Sequence, residues 1–169
     1  GDTLIVCGDF GFVWDGSERE KKVLKKLGKQ KYRILFVAGC HDNYDLLESY
    51  PTIELCGGQV RQISGNLYEL LRGEVYEIDG KTVFAFGGDE HLREEGVTWW
   101  KNEMPDDTEY ERAIQNLAAH HNEIDYIVTH DMSTSMKQFI NIKENDNEVE
   151  KIHAFLNALS KSVKFGYWF

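Results

Sequence analysis

Asp9, Cys40, His41, Asp42 and His130 are the residues of this chain best placed to do chemistry. Each follows directly on an apolar run: "LIVCGD" (4–9), "LFVAGCHD" (35–42) and "YIVTH" (126–130). A fourth run, "FAFGGD" (84–89), ends in Gly87-Gly88-Asp89. Oxygen, nitrogen and sulfur donors of these kinds suit Mn, Fe or Zn, and a pair of such ions can clamp a phosphoryl group and activate a water. Taken singly, each residue has a plainer reading. Asp9 after a glycine is an ordinary turn or cap residue, and His41 or His130 alone is an ordinary loop-edge histidine. What favours a site is their shared position, because ligands of α/β sheets gather at the carboxyl ends of strands. Cys40-His41-Asp42 also invites a cysteine-nucleophile reading. Adjacent residues at a turn rarely point at one another, so that reading is set aside.

The elements that must position these residues can be read from periodicity. "TLIVC" (3–7) and "RILFVA" (33–38) are continuous apolar runs of buried-strand length. Between them Ser17 and Glu20 have capping-box spacing, which predicts a helix to about Leu27 with Gly28 as its stop. A short helix from Asn43 ends before Pro51. Strand and helix alternate, as in an α/β fold. The middle then reads as an antiparallel meander: "QVRQI" (59–63), "NLYELL" (66–71), "EVYEI" (74–78) and "TVFAF" (82–86), with Asp79-Gly80 as a hairpin turn. A loop-like stretch runs from Gly87 to Pro105 and carries Trp99 and Trp100, which either wall a cleft or pack the loop. Asp106 with Glu109 opens a helix to about His121, "IDYIVTH" (124–130) is a strand, Asn147–Ser160 a helix and "VKFGYWF" (163–169) a last strand. His120 and His121 suit a helix end, His153 reads as structural, and His91, after Glu90, reads as a solvated loop histidine with a metal role as the alternative.

A length of 169 residues fits one domain, residues 1–169, able to bury roughly 70% of its unfolded surface. No segment reaches the roughly 20 apolar residues that span a membrane, and no signal peptide is visible. Three cysteines, an odd number in a long chain, fit reduced thiols and a cytoplasmic setting. The net charge of −10 argues against a non-specific grip on long duplex nucleic acid, which needs a cationic face. An anionic substrate would need bound metal to neutralise it.

In order and spacing, "LIVCGDFG", "FVAGCHDNYDLL", "FAFGG" and "YIVTH" resemble motifs of the calcineurin-like metallophosphoesterases. "EGVTWWKNEMP" (95–105) is similar to a feature of one bacterial and phage branch. The resemblance covers nearly the whole chain. It implies a four-layer α-β-β-α sandwich of two mixed sheets, two divalent metal ions (Mn, Fe or Zn), a phosphorylated substrate and hydrolysis by a metal-activated water. Asp9 would bridge the metals, His130 would bind the second, His41 would protonate the leaving oxygen, and Asp42 would orient the His41 imidazole. Cys40 stands where the family has an asparagine whose carbonyl binds metal. A thiolate there would favour Zn; a small inert residue is the plainer reading.

Two motifs of the family are absent. Its opening Asp-x-His has no counterpart in the eight residues before Asp9, and its closing Gly-His-x-His would begin where Phe169 ends the chain. A chain truncated at both ends is therefore expected, with the first metal keeping only Asp9 and the second keeping Asp9, His130 and Cys40. Three readings follow: a metal-dependent phosphoesterase of impaired turnover, an inactive phosphoesterase-like module that binds a protein partner, or a piece of a larger enzyme active only with its missing ends.

Overall fold

Alternation along the central strands sets the architecture. In β2 (Arg33–Val37), Ile34 and Phe36 pack with Leu24, Tyr44 and Leu47 of two helices, α1 (Glu18–Leu27) and α2 (Tyr44–Glu48). The intervening Leu35 and Val37 turn the other way and meet Val83, Ala85 and Val128. The same rule divides β7 (Lys81–Phe86): Val83 and Ala85 join that second cluster, while Phe84 and Phe86 pack with Tyr110, Ala113, Leu156 and Leu159. Strands buried on both faces must be apolar at every position, which is why they appear as unbroken runs.

The computed structural model describes residues 1–89, 100–140 and 151–169. Within them the strands form two mixed sheets. The first has the order β1-β2-β5-β4-β3, with β1 (Thr3–Cys7), β2 and β5 (Leu67–Leu70) parallel, and β4 (Gly58–Ser64) and β3 (Thr52–Leu55) antiparallel. The second has the order β6-β7-β8-β9, with β6 (Glu74–Ile78) antiparallel to β7, and β7, β8 (Glu123–Thr129) and β9 (Lys164–Trp168) parallel. Helix α3 (Asp107–Ala119) and helix α5 (Lys151–Ser162) pack on this sheet, and α4 (Thr134–Phe139) follows β8. None of these helices is long and apolar enough to cross a membrane.

Most helix starts follow from their caps. Asp106 and Glu109 exchange the two bonds of a capping box at the head of α3. At α1 only half of that motif forms. Ser17 accepts from the Glu20 N–H, but the Glu20 carboxylate reaches further back, to the N–H groups of Trp14, Asp15 and Gly16. The loop before α1 is thereby fixed to the helix.

Two expectations are corrected, and two elements are added. The meander is split, because β4 and β5 belong to one sheet and β6 and β7 to the other; the turn at Arg72-Gly73 crosses between sheets. Strand β1 is not buried but lies at a sheet edge, with Leu4 48% exposed. Strand β3, a half-exposed edge strand of four residues, and α4, capped by Ser133, had no strong pattern and escape the sequence reading. The helix start at Asn147 lies outside the described residues.

Candidate metal centre

Asp9, Cys40 and His130 come from the carboxyl ends of β1, β2 and β8, in two different sheets. Two glycines let these ends close on one another. A Cβ on Gly8, which has φ +92°, would lie 2.0 Å from His130 Nδ1. A Cβ on Gly39 would lie 2.5 Å from the Asp9 amide nitrogen and carboxylate, and 2.9 Å from His130 Cε1. Asp9 itself has φ +52°, a left-handed conformation that costs a non-glycine residue about 1 kcal/mol or more and is often found at functional sites. From the other sheet, the Gly88 N–H donates to the Ala38 carbonyl at 2.8 Å and ties the end of β7 to that of β2. Gly39→Ala is expected to push Asp9 away from His130 and weaken zinc binding about tenfold or more, with thermal unfolding shifted far less than zinc affinity, measured by calorimetry on the same sample.

The Asp9 carboxylate is the hub. Oδ1 accepts from the His41 backbone N–H at 2.9 Å and lies 3.5 Å from His130 Nε2. Oδ2 meets His41 Nδ1 at 2.8 Å. The Cys40 sulfur lies 3.5 Å from Oδ1. Ligand atoms of Asp9, Cys40 and His130 all fall within 4.8 Å of one another, the one such group among the described residues. Carboxylate oxygen, thiol sulfur and imidazole nitrogen could together hold one metal ion, and three protein ligands are the number found in catalytic zinc sites. The donors therefore fit one metal ion of the zinc class. A second complete ligand set is not gathered among the described residues.

Electrostatics follow from this packing. Burial pushes the Asp9 carboxyl up, but the His41 backbone and imidazole bonds, with the charges of His130 and His41, bring it below its ordinary value. His41 is raised in turn, first by its bond to Asp9. Burial and the neighbouring Asp9 push the Cys40 thiol up to about 12. Cys40 does approach its neighbour, with Sγ 3.4 Å from His41 Nδ1, closer than expected of adjacent residues. A thiol pushed that high is the reverse of an activated nucleophile, so the cysteine-hydrolase reading gains nothing.

Asp42 is placed differently from its expected role. Its side chain is fully buried, and its carboxylate accepts from the backbone N–H groups of Phe10 (3.2 Å), Gly11 (2.8 Å) and Gly39 (3.0 Å). The carboxylate that contacts the His41 imidazole is Asp9. Asp42 instead fastens the loop after β1 to the turn after β2, which aligns Asp9 with His41. Burial raises its carboxyl, with the three donors pulling the other way.

Asp89 is close enough to add to the rise of the Cys40 thiol. Glu90, His91 and Trp99 lie outside the described residues. Trp100 packs edge-on against Trp14, with ring centroids 5.1 Å apart. One network escaped the sequence reading: His153 of α5, buried, contacts the carboxylate of Asp131, which also binds Lys137 of α4 at 3.0 Å. Burial opposes ionisation of Asp131, yet these partners hold its carboxyl well below the usual range. The signal was faint: His153 sits beside Ile152 and three residues before Leu156 on the buried face of a helix. The pair anchors the segment that follows His130. No family model, no curated protein and no solved structure matches this chain.

Proposed function

We propose that this chain is a metal-dependent phosphoesterase of the calcineurin-like kind, with two sheets packed face to face between outer helices as an α-β-β-α sandwich. The observation that carries the reading is the convergence of Asp9, Cys40 and His130, with His41 bonded to the same carboxylate. When bound, a divalent metal supplies positive charge at the phosphoryl group and activates water as the nucleophile. Asp9, Cys40 and His130 would hold it, and the sulfur donor favours Zn over Mn or Mg. His41 is 70% exposed with Nδ1 on Asp9, so its other nitrogen is turned to solvent. The carboxylate raises its proton affinity, and a proton kept there is available to the leaving oxygen. The acidic balance of the chain is no obstacle, because the charge that meets the phosphate comes from the metal.

Elemental analysis after equilibration with Zn²⁺ and with Mn²⁺ tests this. One Zn²⁺ retained per chain, Mn²⁺ lost on dialysis, and hydrolysis of bis(4-nitrophenyl) phosphate by the zinc form are the expected results. A second reading, a binding module without turnover, is favoured by the His41 imidazole lying on Asp9 Oδ2, where a metal would compete with it. Zinc retained without hydrolysis would support that reading; no metal retained would remove the phosphoesterase.

The thiol gives a pH dependence with a definite sign. With Cys40 pushed up to about 12, the metal-free site keeps its proton throughout the neutral range, so zinc must displace it. Apparent zinc affinity should rise about tenfold per pH unit between pH 6 and 8, from one proton released. Competition with a chelator of known affinity measures the slope, and Cys40→Asn should flatten it.

A further inference from the structure

The loop that leaves Asp9 carries two large aromatic side chains in solvent, Phe12 (46% exposed) and Trp14 (39% exposed). Single exposed aromatics are ordinary, but these two stand on backbone held from three directions. The Phe10 and Gly11 N–H groups are bound by Asp42. The Val13 carbonyl accepts from the Asn43 N–H at 2.8 Å, and the Trp14 carbonyl from Asn43 Nδ2 at 2.7 Å. The N–H groups of Trp14, Asp15 and Gly16 are bound by Glu20.

The rings are propped as well. Phe10 stacks on Phe36 of β2, at a centroid separation of 4.4 Å, and Phe12 rests edge-on against Phe10 at 5.3 Å. Trp14 is supported by Trp100. Phe12 is three residues from Asp9, so their Cα atoms lie within about 11 Å, and Asn43, which holds Val13 and Trp14, is two residues from His41.

We infer that Phe12 and Trp14 form a stacking platform for the base of a small nucleotide whose phosphate lies at the Asp9–Cys40–His130 site, and so set the substrate class. The inference rests on the phosphoesterase reading for the phosphate end alone. A planar base is the occupant that rigid, exposed rings accept at low entropic cost, since nothing need be ordered on binding, and every base offers a π-face. The net charge of −10 favours a mononucleotide or dinucleotide over a long polymer, whose grip draws on net positive charge. The platform sits on the loop that begins at the hub carboxylate, which lets one ligand reach both.

Zinc-equilibrated protein titrated with adenosine 5′-monophosphate, ribose 5-phosphate, adenosine and O-phosphotyrosine provides the test, followed by calorimetry and by the indole N–H resonances of Trp14 and Trp100. The nucleotide should bind about ten- to a hundredfold more tightly than ribose 5-phosphate. Phe12→Ala should collapse that ratio without changing ribose 5-phosphate binding, and Phe12→Tyr should restore it. Adenosine alone should move the Trp14 resonance. If the nucleotide and ribose 5-phosphate bind equally, or Phe12→Ala leaves the ratio intact, the platform is overturned while the metal reading stands. If neither phosphate ligand binds but adenosine still moves Trp14, the phosphoesterase reading fails and the platform stands. O-phosphotyrosine binding as tightly as the nucleotide overturns the assignment to a base.

Discussion

Asp9→Asn should abolish zinc retention while leaving the fold intact. Among the described residues this carboxylate alone meets the His41 backbone N–H, the His41 imidazole, His130 and the Cys40 sulfur together. Asparagine keeps an oxygen for the His41 N–H but loses the charge that draws in the imidazoles and a cation. Replacing groups that merely orient metal ligands lowers affinity by about 10- to 100-fold, so loss of a ligand should exceed about 100-fold. The backbone makes this a clean test. Asp9 has φ +52°, and asparagine is among the residues that accept that conformation most readily. Thermal stability should therefore hold, and hydrolysis by the zinc form, where present, should fall with the metal. Retention of one zinc by Asp9→Asn would mean that the metal is held elsewhere.

Asp42→Ala should have the opposite profile: a large loss of stability. Three backbone N–H groups, those of Phe10 and Gly39 within the interior and that of Gly11 partly buried, have the Asp42 carboxylate as their acceptor. An unsatisfied buried donor costs about 1–3 kcal/mol, and the water that enters a partly buried position recovers some of it. The expected loss is about 3–5 kcal/mol in urea denaturation, a large share of the stability of a domain this size. Asp42→Asn separates the contributions. Oδ2 serves Phe10 and Gly39 while Oδ1 serves Gly11. An amide with its oxygen at the Oδ2 position keeps two bonds and fails only at Gly11, for a loss of about 1–2 kcal/mol. A loss below about 1 kcal/mol for Asp42→Ala would mean that the loop after β1 is not fastened in this way. Should Asp42 instead orient His41, Asp42→Asn would change the pH profile of turnover more than it changes stability.

The two variants divide the turn "GCHD" by function. Its histidine and cysteine face the hub carboxylate, whereas its aspartate builds the loop that presents the hub. Both roles use an acidic residue after a strand, and nothing in the one-dimensional pattern tells them apart.

Sequence by itself determined the parts that depend on local periodicity and caps. The runs at 34–37 and 83–86 had to be buried strands because every position in them is apolar, and Asp106 with Glu109 had to start a helix because they satisfy its first free N–H groups. The convergence of Asp9, Cys40 and His130 was also legible, since each ends such a run. Tertiary structure alone decided how the strands divide between sheets. That β5 and β6 part at Arg72-Gly73 depends on which neighbours each strand finds, and a hairpin and a crossover read alike in sequence. It alone decided that Asp9, not Asp42, meets the His41 imidazole. That outcome rests on a left-handed backbone at Asp9 and on two glycines that let separate sheets approach within the width of a side chain, a matter of space that no spacing of residues records.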